Sequence, residues 1–596
     1  MIRLLRPFTV SAFGATLIDD TNASAARTTL ELAASHALGA SLVSITDPAF
    51  GAVGDGSTDD RAAWALAIAA ATAAKSPILV TGGPYHIGSS LTITVPIVDT
   101  VNQVFSTTSA VTLSANAYVR PEWFGSAAGN IRLAVNALPA TGGVVQLRNA
   151  RYAPSFVDYT TATTGYLAKT GVTLQGAGRP SIKSDGTTFL DGTGTIIDGP
   201  FFVAAQSFHA FDLGIDSGSA VCTARYSGTA QEGFFPSYYA SGAATYHSDV
   251  VVERVSALCK DQASAVHAIL FEQVDGGVIN DVLVQYGFHG VVIKSRNVNA
   301  RGIIARENGG EGLILKSDNY AELVGVNVSD VICTSNDTTQ DAGYGVLIEA
   351  VSTAGAGVNL SNVRVYKKAY GITIRSNGAT MADVAYSNVT IEGCLYGVYL
   401  GGALLRTQGR AVIINNATDG LTVESGVADT SSFIDGLGFT NVTTAIKASG
   451  VIAVDNVSFN TVTTGFSYVA PGTTSRIKVG QWYATSLTNV HDLSTAFVNS
   501  WANSGGGNET FKLIPCNGGI KIAGLIVPGT NALITTLPVC VRPSQNMRFV
   551  GLGYNGAAYA PIEIILGSNG TLNAVNYTAG STYVSLDGAF FLPDRE

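Results

Sequence analysis

From Ala268 to Phe466 one short hydrophobic pattern returns along the chain: a small residue, usually Gly, then apolar, variable, apolar. It reads Ala268-Ile-Leu-Phe-Glu, Gly290-Val-Val-Ile-Lys, Gly312-Leu-Ile-Leu-Lys, Gly345-Val-Leu-Ile-Glu, Gly371-Ile-Thr-Ile-Arg, Gly397-Val-Tyr-Leu-Gly, Gly420-Leu-Thr-Val-Glu, Thr444-Ala-Ile-Lys-Ala and Gly465-Phe-Ser-Tyr, at intervals of 21 to 33 residues. Repeats of this length mark a solenoid. Apolar residues alternate inside each unit and Val, Ile, Thr and Tyr abound, so the unit is a strand. Most units hold a second strand, as in Asn280-Asp-Val-Leu-Val, Asn362-Val-Arg-Val-Tyr and Asn388-Val-Thr-Ile-Glu. Short strands without a helical period between them predict an all-β fold, a right-handed parallel β-helix.

Stacking turns the pattern into columns, because equivalent residues of successive rungs lie about 4.8 Å apart. Positions one and three after the Gly face inward. The column four after it, Glu272, Lys294, Lys316, Glu349, Arg375, Gly401 and Glu424, predicts an outward charged ridge. The column two after it, Leu270, Val292, Ile314, Leu347, Thr373, Tyr399 and Thr422, is apolar for half its length. An outward apolar stripe predicts burial against another copy.

Outside the repeat the pattern changes several times. Residues 1–47 carry an Ala-rich run with Thr21-Asn-Ala-Ser-Ala-Ala-Arg-Thr-Thr-Leu, in which Thr21 or Asn22 could cap a helix. Phe50-Gly-Ala-Val-Gly-Asp-Gly-Ser-Thr-Asp-Asp-Arg-Ala-Ala-Trp reads as a Gly-Asp-Gly turn, a cap at Thr58 or Asp59 and an Ala-rich helix closing the end of a β-stack. Arg120-Pro-Glu-Trp-Phe-Gly and Ile131-Arg-Leu-Ala-Val-Asn-Ala-Leu start a second, similar stretch. An aromatic insert from Arg225 to His247 breaks the strand rhythm, and beyond Gly518 alternating strands with an Asn569-Gly570 hairpin signal predict an antiparallel β-sandwich. The boundaries are a segment 1–47, a small β-domain 48–119, the β-helix 120–466, a connector 467–508 and a C-terminal sandwich 509–596.

The Gly-Asp-Gly-Ser-Thr-Asp-Asp and Pro-Glu-Trp-Phe-Gly motifs closely resemble the start of the pectate-lyase-like β-helix superfamily, familiar in phage tailspikes. Arg61 stands where Thr is more usual, and the second stretch lacks the Gly-Asp-Gly and Asp-Asp elements. Ala25-Ala-Arg-Thr-Thr-Leu is similar to elements near the attachment regions of phage tail fibres, and Leu537-Pro-Val-Cys-Val-Arg-Pro onward resembles their tip domains. The resemblance spans roughly residues 50 to 185 and speaks for fold more than for chemistry, since the superfamily hosts lyases, hydrolases and scaffolds. It implies a homotrimeric virion protein, attached to phage tail or baseplate proteins through its N-terminus, assembled in the host cytoplasm and acting on bacterial surface polysaccharide, capsule or O-antigen, at the cell surface.

Composition trims this picture. A net charge of −9 argues against a nucleic-acid partner, which would call for a basic stripe. Six scattered Cys indicate neither a zinc site nor a disulfide framework. The N-terminal apolar run is broken by Arg6 and Pro7, and no run is long enough to predict membrane insertion.

The chemistry expected of the chain lies in the column just before each Gly: His267, His289, Glu311, Tyr344, Tyr370, Tyr396 and Asp419. Imidazole beside carboxylate offers acid and base near neutral pH. A straight ladder converges poorly on an ion, so neither metal nor cofactor is predicted. Glycoside hydrolysis needs two carboxyl groups one or two rungs apart. Glu311 with Asp341 or Glu307 is the expected pair, Asp337 an alternative partner. Lys294, Lys316 and Arg375 could hold an acidic sugar, and Tyr238, Tyr239, Tyr246 and Tyr344 could offer ring faces and hydroxyls to one. A lyase route would use His289 with Tyr344, Lys294 or Lys316 neutralising a uronate. A third reading, from another class, is a receptor-binding fibre whose β-helix is only a spacer.

Overall fold

The computed structural model describes most of residues 42–591; the longer stretches outside the description within that span are 126–130, 153–168, 219–231, 236–245, 260–266, 336–340, 469–475 and 505–510. Two compact units emerge, Met1–Ser126 with Leu133–Pro139 and Ala127–Arg132 with Ala140–Glu596.

In the first unit, helix α1 (Arg61–Ala74) buries Ala63, Trp64, Ala67 and Ala71 on one face and stops at Lys75 in the left-handed region. Its indole packs on Tyr85 and Phe105, with ring centroids 5.6 and 5.2 Å away. The expected cap at Thr58 or Asp59 is corrected by one residue. Asp60 stands at the N-cap position and does not cap the helix with its side chain. Its carboxylate instead accepts from the Val53 and Gly54 amides at 2.7 and 3.1 Å. Asp59 accepts from Arg61 and Gly88, and Asp55 from Ser57 and Thr58. These carboxylates serve as staples of a Gly-rich loop that lacks regular hydrogen bonds of its own.

The regular part of the second unit is two interleaved series of parallel strands. The front series is β2 (His267–Asp275), β4 (His289–Arg296), β6 (Leu313–Ser317), β8 (Asp341–Ala350), β10 (Lys368–Ser376) and β12 (Tyr396–Gly401). The back series is β1 (Val251–Cys259), β3 (Val278–Gln285), β5 (Asn299–Arg306), β7 (Val324–Thr334), β9 (Gly355–Tyr366) and β11 (Met381–Glu392). Both series run into the long strand β13 (Gln408–Val423). Each strand pairs in parallel with the next of its own series, as in Val291↔Leu313↔Val346↔Ile372↔Val398. That pairing is a parallel β-helix, with those five inward residues fully buried.

The back strands bend at a column of left-handed residues, Asp281, Gly302, Asp330, Asn362 and Asn388. Asn, Asp and Gly tolerate that backbone best. The amides also link the corner vertically, Asn362 donating to Asp330 at 2.9 Å and Asn388 to Asn362 at 3.2 Å. Toward the C-terminus, a seven-stranded sheet contains the antiparallel strands Met547–Tyr554, Tyr559–Leu566 and Thr571–Val575, the last two joined through Asn569-Gly570 as expected.

One expectation fails. The column two after the Gly is not an exposed apolar stripe: Leu270, Val292, Ile314 and Leu347 are 0 to 5% exposed within this chain. From the column four after the Gly, Arg375 reaches the hydroxyl of Tyr344, in the column before the Gly, at 3.1 Å. Rather than facing a second copy, the stripe is the floor beneath the front face. The ridge four after the Gly is likewise partly interior, with Glu272, Lys294 and Glu349 buried.

Candidate active site

The column before the Gly is in register along the front strands: His267 pairs with His289, Tyr344 with Tyr370, Tyr370 with Tyr396, and Tyr396 with Asp419. The side chains stack accordingly. The His267 and His289 rings are 4.8 Å apart, Tyr344 and Tyr370 4.7 Å, Tyr370 and Tyr396 4.6 Å. Between the histidines and the tyrosines stands Glu311, whose carboxylate contacts Nδ1 of His289. An ionised carboxylate only accepts, so the imidazole carries its proton on Nδ1 and donates it to Glu311. The other ring nitrogen, Nε2, is thereby left as the proton acceptor of the neutral ring.

Both partners are mostly covered, with side chains 15% and 13% exposed. Burial is the largest influence on the Glu311 carboxyl and pushes it up. The hydrogen bond from His289, with the Arg375 guanidinium nearby, outweighs that and holds it below the usual carboxylate range. Glu311 is therefore ionised at neutral pH, which fits a base or the partner of a base and not an acid.

Arg375 links the next elements. It donates to Glu349 at 2.7 Å and to the Tyr344 hydroxyl at 3.1 Å. Lys316 lies 3.4 Å from the same Glu349, so two cations share one buried carboxylate. Further along, Tyr399 donates to Glu424, and burial followed by that carboxylate pushes the phenol up.

The other expected residues fall elsewhere. Lys294 is buried between Glu272 at 3.4 Å and Asp318 at 2.9 Å, so its ammonium is spent inside the fold. Glu307 takes the left-handed conformation at the turn before Glu311, and its amide donates to Thr334. Asp341 opens β8 opposite Lys368, with its side chain outside the description, as are Asp337, Tyr238 and Tyr239. Tyr246 is taken up by Arg296, which lies 4.2 Å over its ring, and by the Glu322 amide.

Three features were not foreseen. Glu232 pairs with His267 and so extends the column by one rung. Its signal was present, since Glu232-Gly233-Phe234 repeats the residue, Gly, apolar order inside what read as an insert. Phe234 is 1% exposed, part of the coil core. Lys368, fully buried, donates to the carbonyls of Asn308 and Gly310 and so ties down the turn that carries Glu307 and Glu311. Asn308 is buried within that turn, both amide atoms without hydrogen-bond partners among the described residues.

No protein-family model matches the sequence, and no curated protein matches it significantly. Solved structures do show likenesses. The ORF18 protein of Geobacillus virus E2 is 11% identical over 95% of this chain and 80% of its own, with a TM-score of 0.27. The Dettilon tailspike protein is 12% identical over 91% and 93%, with a TM-score of 0.25. The catalytic unit of a GH87 α-1,3-glucanase from Streptomyces thermodiastaticus is 14% identical over 64% and 70%, with a TM-score of 0.32. Likenesses this distant carry no argument about chemistry; the β-helix rests on its own strand pairing.

Proposed function

We propose that this chain is a phage tailspike-type depolymerase that binds and cleaves a bacterial surface polysaccharide, capsule or O-antigen, at the front face of the β-helix. The observation that carries this reading is the His289–Glu311 contact, an oriented imidazole with a free proton-accepting nitrogen, beside the Tyr344–Arg375 pair. Glu311 holds Nδ1–H, and His289 Nε2 takes the proton. In hydrolysis that proton comes from the attacking water, and Glu307 or Asp341 supplies the acid for the leaving oxygen.

The low-lying carboxyl of Glu311 also suits a second route. In β-elimination His289 removes the proton beside a uronate held by Arg375 and Lys316, and Tyr344 protonates the leaving oxygen. The base is the same in both routes, and the products differ. Homotrimeric assembly and N-terminal attachment to the virion complete the reading through the sequence resemblance alone.

The test is incubation of the purified chain with capsular and O-chain polysaccharides from a panel of strains, following reducing ends and near-ultraviolet absorbance together. New reducing ends without absorbance are the expected result. A rise in absorbance selects elimination, and silence with retained cell binding would leave a receptor-binding fibre in place of an enzyme.

A further inference from the structure

A groove runs along the opposite series of strands, away from His289 and Glu311. One section, about 500 Å3, is lined by Val278, Asn299, Arg301, Asn327, Ser329 and Ser361, among others. A second, about 330 Å3, shares Asn359 and Ser361 with it and continues past Ser387 to Gln408 and Arg410. The sections follow β3, β5, β7, β9, β11 and β13 in register, Val278↔Asn299↔Asn327↔Asn359↔Ala385↔Gln408. Five steps of strand spacing make a channel about 24 Å long.

We infer that this groove is a second carbohydrate-binding site, which holds a stretch of the polysaccharide chain apart from the point of cleavage. The glycan as occupant rests on the proposed function; the groove itself does not. A long, narrow, open channel fits a linear polymer better than a compact ligand. Its walls are amides and hydroxyls, with exposed Arg410 at one end and Arg301, whose guanidinium donates to Asp330 at 2.9 Å, toward the other; among the described residues no carboxylate lines it.

The amide wall is already ordered. Asn327 donates to Asn299 at 3.1 Å and Asn359 to Asn327 at 2.9 Å. Each such bond uses one N–H and one lone pair, so each of these three asparagines still has a donor and an acceptor to offer a hydroxyl-rich chain, held in place before it arrives. A protein partner would call for an apolar, aromatic centre, whereas Val278 is the one large exposed aliphatic in the lining.

The inference is tested in the full chain with Ser361→Tyr, which fills the stretch common to both sections, and with Arg410→Ser at the exposed end. Binding is followed by calorimetric titration in a Glu311→Gln background, using O-chain and capsular polysaccharides, intact and as short acid-hydrolysis oligosaccharides. Both variants should weaken binding of the intact polymer by about tenfold, near 1.4 kcal/mol, and leave short oligosaccharides unaffected. In the active chain KM for polymer should rise while kcat holds.

Polymer binding and KM equal to the parent's overturn the groove and leave the proposed function standing. A change of oligomeric state on Ser361→Tyr, seen by light scattering, also overturns it, since the groove is then an interface between copies. A parent chain that binds no polymer removes the proposed function and the occupant together. Unaltered melting temperatures exclude misfolding as the cause of lost binding.

Discussion

The front column and the back groove are built by one rule and end in opposite states. Both place equivalent side chains about one strand spacing apart on successive rungs. At the back the neighbours are alike, Asn on Asn and Ser above Ser, and amides that both donate and accept satisfy one another. At the front, runs of like rings, His on His and Tyr on Tyr, meet at Glu311, and that one unlike contact fixes a protonation state and a tautomer. A ladder of identical groups makes an ordered surface, and a ladder of different groups makes a reactive one. The front also closes over its own floor, while the back stays open.

The comparison breaks hardest at that floor. Ile314→Asp puts a carboxylate at a position 5% exposed between Val292 and Leu347. We expect a loss on the order of 4 kcal/mol in chemical denaturation. Retained stability would mean that the stripe opens to solvent after all. Next, Glu311→Gln should lower depolymerisation by roughly 10²- to 10⁴-fold while the circular-dichroism spectrum stays that of the parent; a variant as active as the parent would clear the dyad of any role. Smaller again, Asn359→Ala removes one rung of the back ladder and should cost about 1 kcal/mol, without changing the turnover of short oligosaccharides.

Which parts of this were legible in sequence follows from the length scale of each interaction. The Gly, apolar, variable, apolar unit specifies the strand, its inward face and its register locally, so the β-helix and the His–His–Glu–Tyr column could be written down before any coordinates. What a column's neighbours do to it is not local. Val292 and Leu347 take the outward position in the strand alternation, yet both are buried within the chain. Lys294 looked like a surface cation because nothing near it in sequence shows Asp318 arriving from the end of the next front strand. The rung at Glu232 was hidden for a different reason: in the sequence Phe235-Pro236 reads as a strand break, and the aromatic run around it reads as a loop.

The finest difference between the two faces is in pH. The back ladder of asparagines has nothing to titrate, so the destabilisation caused by Asn359→Ala should be the same at every pH. Glu311 behaves otherwise, because its folded carboxyl is held below its ordinary value of 4.5. A carboxyl lowered by folding contributes stability that is complete above the unfolded value and is lost as the pH falls through the folded one. Above about pH 5 the parent should therefore exceed Glu311→Gln in stability by a constant margin. Below 4.5 that margin should shrink, since protonated Glu311 comes to resemble the amide that replaced it. Denaturation midpoints of both chains, followed from neutral pH downward, measure the margin directly. A margin that does not narrow in acid would mean that His289 holds the glutamate no more tightly in the folded chain than water does in the unfolded one, and the front column would then be as inert as the back.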